Sequence, residues 1–320
     1  MLLFEDILRA EKIVSKHIVT TPVVHSKALS EDTGEHIYLK LENQQITGSF
    51  KIRGAINAIS NLSPAQKKAG VVALSTGNHG RGLAFAANLM KIRCIICMSK
   101  LVPNNKIEGI KALGAEVRLI GTNQDEAQLE ADRLSIEEGM TYVSPFDNID
   151  VIAGQGTLGL EINQQIPKLN FAFVPLSGGG LICGVSRALK SLNRNLKVIG
   201  VSMDRGAAMY ESQKAGKPIF VKEEESLADA LTGGIGLDNK YTFELTKQLV
   251  DEIVLVSEKE IADGIHYAYW HESQIVEGAG AVAIASLLNK KFKPNGPSVA
   301  LMCGRNINME KHFSLISAKS

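Results

Sequence analysis

The pattern that most constrains this chain is an alternation. Short β-branched, apolar runs recur between longer segments whose apolar residues fall three and four apart. The runs predict strands over Ile37–Leu41, Val71–Leu74, Cys94–Met98, Glu116–Ile120, Phe171–Pro175, Lys197–Ser202, Ile253–Val256 and Ser298–Cys303. Helical patterns such as Gly80–Met90 and Gln124–Glu138 lie between them. Strand–helix–strand alternation is the mark of open parallel sheets with helices on both faces, an α/β fold. The opening MLLFEDILRAEK reads as an amphipathic helix. No repeat of 20–50 residues interrupts the pattern.

Gly and Ser cluster at three strand ends: Leu74–His79, Pro175–Gly180 and Met302–Asn306. Ligands of open α/β sheets bind beyond the carboxyl ends of the strands. Three such loops predict one site assembled from three strand ends.

Composition narrows what that site can take. Charges nearly cancel, 35 Lys+Arg against 34 Asp+Glu, so no basic excess exists to hold a nucleic acid. The longest apolar stretch, Gly278–Leu288, is well short of the roughly 18 residues of a membrane span. Glu5 and Asp6 stand where a secretory signal would be basic and then apolar. Four cysteines are too few for a disulfide scaffold at 320 residues, which points to a reducing cytoplasm. That length suggests about two domains at roughly 150 residues each.

The Ser177–Gly180 loop follows an apolar strand and precedes a helical pattern over Leu181–Lys190. N–H groups at a helix N-terminus hold an anion, and glycine lets the backbone come close, so a phosphate is the natural guest. It is not a dinucleotide fingerprint: from Gly178 the pattern G-x-G-x-x-G ends on Cys183. The near-match Gly278–Ala283 follows a polar segment instead of a strand and reads as close helix packing. No nucleoside-triphosphate loop is present. Cys94 and Cys97 form a C-x-x-C, but inside an apolar run without a matching second pair, so a buried strand is the natural reading. The histidines show no metal-ligand spacing. Lys51, between Phe50 and a helical pattern, would by itself be an ordinary surface cation.

Six ordered segments change that. SFKIRGA at Ser49–Ala55, STGNHG at Ser75–Gly80, IAGQGT at Ile152–Thr157, SGGGL at Ser177–Leu181, EGAGA at Glu277–Ala281 and CGRN at Cys303–Asn306 together resemble the threonine/serine dehydratase family of pyridoxal-phosphate enzymes. The resemblance spans nearly the whole chain. It implies a tryptophan-synthase-β-like fold (fold type II) with pyridoxal 5'-phosphate as cofactor.

The resemblance also implies roles. Lys51 would be the Schiff-base lysine and general base. Phe50 would pack on the pyridine ring, and Asn78 would bind the ring 3'-oxygen. Gly178, Gly179, Gly180 and Leu181, with Ser177, would hold the phosphate. Gly236 and Glu277 belong to the implied cofactor-binding set. Ser75, Gly77 and His79 would bind the substrate carboxylate, with Ser75 and Thr76 in the catalytic set. Cys303 matches the position facing the pyridine nitrogen. A neutral thiol cannot hold that nitrogen protonated as a carboxylate would, so the electron sink is weaker. This favours β-elimination over transamination.

The chain also departs from the family's pattern. Thr76 stands where the racemase branch carries Ser for acid/base work, which disfavours racemisation. That branch's divalent-cation site begins at a Glu, where this chain has Ser202; Gly206 and Ala208 offer no side-chain oxygen, so no metal is expected. The chain ends at Ser320, which leaves no room for a regulatory domain. The segments Ser226–Asn239 and Tyr241–Phe243, with Arg81 and Arg305, resemble the hydroxyectoine-utilisation branch most closely. Asp125 and Glu126 either select a positively charged substrate or simply favour the first turn of a helix.

These readings predict a large domain of residues 1–66 and 148–320, with residues 67–147 inserted as a small one. The expected activity is dehydration and deamination of a 2-amino-3-hydroxy acid to a 2-oxo acid and ammonia, with a serine-type racemase as the alternative. The expected partners are a small amino-acid substrate and other copies of the chain, as a homodimer or homotetramer.

Overall fold

The computed structural model describes residues 1–317. Its strands are β1 (Val23–His25), β2 (Ile37–Lys40), β3 (Val71–Leu74), β4 (Cys94–Met98), β5 (Glu116–Leu119), β6 (Thr141–Tyr142), β7 (Phe171–Pro175), β8 (Lys197–Met203), β9 (Glu252–Val256) and β10 (Ser298–Leu301). They form two sheets. The larger runs β1-β2-β10-β7-β8-β9 and the smaller β5-β4-β3-β6. Every pairing is parallel except β1 with β2.

The central strands are buried along their length, as the fully buried Phe171–Pro175 and Cys94–Met98 show. Helices cover both faces, so such strands need no polar side. Each of the eight expected strands is present to within two residues. The two unexpected ones, β1 and β6, are edge strands of three and two residues. Runs that short carry no periodicity. The N-terminal helix is Phe4–Val14, and its Ile7, Ala10 and Val14 stripe is buried.

Two motifs prove to be packing devices as well. The helix Lys51–Ser60 crosses the helix Ile149–Gln165 so closely that a Cβ on Gly154 would strike the Arg53 carbonyl. The helix Gly278–Leu288 begins where Gly278 lies against the Leu227 carbonyl, which bears out the packing reading of that stretch. Cys94 and Cys97 sit on opposite faces of β4, in separate apolar clusters. Three residues apart on a strand, they cannot share a ligand. Burial pushes their thiols up to about 12 and about 11. Among the described residues no group of three metal-ligating side chains forms, and no helix is long and apolar enough to cross a membrane.

Candidate active site

The site is built where the strand ends of the two sheets face each other. Gly48 takes a left-handed φ of +76° and turns the chain after the 3-10 turn Glu42–Gln44. The segment then runs antiparallel to the end of β10: Phe50 N–H donates to Cys303 O at 3.2 Å, and Arg305 N–H to Gly48 O at 2.9 Å. Lys51, the first residue of its helix, is thereby set beside Cys303. A cavity of about 670 Å³, counting its mouth, opens here. Phe50, Lys51, Asn78, Ser177, Gly178, Gly179, Gly180, Leu181, Glu277 and Cys303 all line it.

Lys51 Nζ donates to Pro145 O at 2.7 Å and lies 5.2 Å from the Phe50 ring centroid. Loss of solvent around the ammonium lowers its pKa from 10.5 to about 8, against a smaller opposing pull from Cys303 and Glu277. The Cys303 thiol is buried and its Sγ donates to Ala279 O at 3.3 Å. Burial, with the Glu277 charge beside it, pushes that thiol well above its ordinary value, so it is neutral at pH 7.

At the other end the helix Gly180–Leu192 points its N-terminus at the cavity. Its first backbone bond closes at Cys183, which donates to Gly179 O at 2.9 Å. The N–H groups ahead of it have no helical acceptor and lie in the cavity wall. A Cβ on Gly178 would strike the Phe146 ring, and one on Gly180 the Phe146 backbone. The glycines let this loop nest against Phe146 with its amides open. Gly179, at φ +93°, makes the turn.

The remaining expected residues lie elsewhere. Ser75 Oγ accepts from Gly80 N at 2.9 Å and Gly77 N at 3.3 Å, which holds the loop between β3 and the helix Asn78–Leu89. Thr76 and Gly77 line a second, neighbouring pocket, together with Arg81, Lys106 and Arg305. His79 is buried and bonded to Val143 O at 2.8 Å. Burial, and then the nearby Lys51 charge, drop its pKa to about 3, so it stays neutral and ties β3's loop to the end of β6. Gly236 is exposed in a turn at φ +79° and does not reach the cavity. Asp125 and Glu126 are exposed too; Glu126 accepts from Thr122 N at 2.5 Å and its own N–H donates to Asn123 Oδ1 at 2.9 Å. That is a helix cap, and neither acid lines the site.

Three contributors escaped the sequence reading. Pro145 and Phe146 follow the two-residue β6 and carry no motif. Asn306 Nδ2 bridges Thr47 O at 2.9 Å and Asn78 Oδ1 at 2.5 Å. Its place in CGRN was the available signal.

A family model described as "Pyridoxal-phosphate dependent enzyme" matches residues 14–304. The chain belongs to that family, among its threonine/serine dehydratases. A Sinorhizobium fredii protein provisionally named a threonine dehydratase is 52% identical over 98% of this chain and 95% of its own length. The L-threonine ammonia-lyase of Thermotoga maritima is 44% identical over 97% of this chain and 77% of its own. Among solved structures, maize serine racemase superposes with a TM-score of 0.93 at 29% identity, covering 98% and 96% of the two chains.

The enzyme's cofactor is pyridoxal 5'-phosphate, and the residues present fit it. An amine of lowered pKa suits the aldehyde, and the open amides of the loop that Gly178 and Gly180 let nest against Phe146 suit the phosphate. The neutral Cys303 thiol suits an unprotonated ring nitrogen.

Proposed function

We propose that the enzyme dehydrates and deaminates a 2-amino-3-hydroxy acid, threonine foremost, to a 2-oxo acid and ammonia. One observation carries this reading. A lysine of lowered pKa, a neutral thiol and an anion cradle share the wall of one cavity. Lys51 would bind the cofactor's aldehyde carbon, with Ser177–Leu181 on the phosphate, Phe50 against the ring and Asn78 at its 3'-oxygen. The bound cofactor supplies an electron sink for charge developing at the substrate Cα.

With its amine free in the loaded site, Lys51 would take the substrate's Cα proton as general base. Its lowered pKa keeps a useful fraction unprotonated near neutrality. Cys303, neutral at pH 7, would place no negative charge beside the bound cofactor ring, which would favour elimination over transamination. Lys51 would return that proton to the departing β-hydroxyl, which would leave as water. The 2-oxo acid and ammonia follow by hydrolysis.

The domain reading belongs to this proposal. Residues 67–147 would move against 1–66 and 148–320 and exclude water as the substrate seats. Closure would also bring Ser75, Gly77 and His79 toward the substrate carboxylate. Four free thiols suit a reducing cytoplasm. A homodimer or homotetramer is proposed by analogy with the family.

The racemase reading draws support from the likeness to maize serine racemase. Against it, Thr76 lines the neighbouring pocket, and no second acid/base from that loop lines the cavity. The deciding experiment is a panel of L-threonine, L-serine, 3-hydroxyaspartate and a hydroxyectoine-derived hydroxy-amino acid, on holoenzyme. Equimolar 2-oxo acid and ammonia, with leftover substrate of unchanged chirality, is the expected result. Racemised substrate without ammonia would overturn it.

A further inference from the structure

Glu277 is the least explained group in the cavity. It is the N-cap residue of the helix Gly278–Leu288, yet its side chain makes no cap bond to that helix. Acidic N-caps gain from the helix dipole and from unpaired N–H groups, and this one turns away from both. It is 3% exposed. Gly304 makes the room, since a Cβ there would collide with Glu277 Oε1.

The carboxylate instead accepts from Asn78 Nδ2 at 2.6 Å, across 199 residues of sequence. A backbone N–H of Asn306 also reaches it. Asn78 Oδ1 accepts in turn from Asn306 Nδ2 at 2.5 Å. The Asn78 amide is therefore held at both ends. Its nitrogen is turned to Glu277 and its oxygen to Asn306. A carboxamide nitrogen carries two N–H groups. One is spent on Glu277, and the second is left for a ligand oxygen in the cavity that Asn78 lines.

We propose that Glu277 is a positioning residue that acts through Asn78, its ionised form locking the amide with the N–H side available to the cofactor. This rests on the proposed cofactor role of Asn78. The lock depends on charge. An ionised carboxylate can only accept, so it selects the amide nitrogen. A neutral carboxyl carries a proton that needs an acceptor. Rotating the Asn78 amide would offer it Oδ1 and break that oxygen's bond to Asn306. Protonation thus offers Asn78 the opposite orientation, with its donor withdrawn.

The surroundings put this change in a working range. Burial, and then the Asp229 charge, raise Glu277 from 4.5 to about 7, against the pull of Asn78, the Asn306 N–H and Lys106. The charged and titratable groups facing it are Lys51 and Cys303 across the cavity, Arg81 and Lys106 on the helices Asn78–Leu89 and Asn104–Lys111, and Asp229 on the 3-10 turn Asp229–Leu231.

The test compares wild type, Glu277→Gln, Asn78→Ala and the double variant as holoenzymes. Wild-type kcat should rise about tenfold per pH unit below a midpoint near 7 as Glu277 ionises. Glu277→Gln should keep the cofactor's visible band but lose that limb, and the band's own pH dependence should flatten with it. The double variant should lose no more kcat than Asn78→Ala alone. Unfolding supplies a readout independent of turnover. The wild-type unfolding constant should grow with pH between 4.5 and 7, by up to about 300-fold for the 2.5-unit difference, and Glu277→Gln should lack that growth. An acid limb that persists unmoved in Glu277→Gln, or losses that multiply in the double variant, overturns the inference. A wild-type preparation that binds no pyridoxal phosphate would instead defeat the proposed function.

Discussion

Arg53 lies two residues beyond Lys51 on the same helix and is fully buried. Its Nε donates to Glu42 Oε2 at 2.8 Å, and a terminal nitrogen donates to Glu42 Oε1 and Glu161 Oε2, each at 2.7 Å. Lys40, also fully buried, reaches Glu161 Oε1 at 2.5 Å and Thr21 O at 2.7 Å. Two cations and two carboxylates thus close a dry network that joins β2, the lysine helix and the helix Ile149–Gln165. Replacing Arg53 by Met leaves Glu42, itself fully buried, with the Thr21 hydroxyl at 2.6 Å as its near partner. An uncompensated buried charge costs about 3–5 kcal/mol. Three charge-assisted bonds at roughly 1.5–3 kcal/mol each would suggest more, but protonation of Glu42 caps the loss.

The assay is urea unfolding of Arg53→Met, Glu42→Leu and the double variant. The single Arg53→Met variant should lose about 3–5 kcal/mol. The double variant should regain about 1–3 kcal/mol of that, since the stranded carboxylate is gone and Glu161 keeps Lys40. The pH dependence carries a sign. Burial pushes Glu42 up, but the Arg53 charge and hydrogen bonds, with Thr21 and Lys40, bring it to a net value below the usual carboxylate range. Its contribution is present above the unfolded pKa and is lost as pH falls through the folded one. Arg53→Met should remove that acid-side loss. A cost below about 1 kcal/mol, or strict additivity in the double variant, would refute the reasoning.

Three further outcomes follow from the site. In cofactor-free enzyme, reductive trapping of a small aldehyde on Lys51 should reach half its maximum near pH 8, well below the 10.5 of a solvated lysine, and Lys51→Ala should abolish it. Gly178→Ala drives a methyl into the Phe146 ring, so cofactor affinity measured by fluorescence titration should fall by about 1–3 kcal/mol, and Phe146→Ala should restore part of it. Asp125→Ala with Glu126→Ala should lower stability by about 0.5–1 kcal/mol, through the lost Glu126 carboxylate bond to Thr122 N–H and the lost negative charge in the first helical turn, with substrate preference unchanged in the panel.

Much of the site was legible because its parts announce themselves locally. The apolar runs of β7 and β10, each followed by Gly and Ser or Gly and Arg, mark strand ends where ligands collect. The glycines of Gly178–Gly180 are demanded by backbone geometry, so they stand out in one dimension. Thr76, His79 and Gly236 read less well. Their motif neighbours reach the cavity, but where each residue is placed depends on the loop that Ser75 Oγ holds, on Val143 O and on a distant turn. Pro145 and Phe146 were invisible, because a carbonyl and a ring chosen for their position leave no residue-type signature.

Sequence alone determined the parallel α/β architecture and the order of the motifs, and it singled out Lys51 and the Ser177–Gly180 loop as candidates. Periodicity and backbone demands are local, and local pattern reports them. The tertiary structure decided what those residues are worth chemically. Lys51 meets Pro145 across 94 residues and Glu277 meets Asn78 across 199. The loss of water around Lys51, Glu277 and Cys303 exists only once both sheets have closed around the cavity. Desolvation is a property of the folded surroundings, and it shifts the pKa values of an otherwise ordinary lysine, glutamate and cysteine.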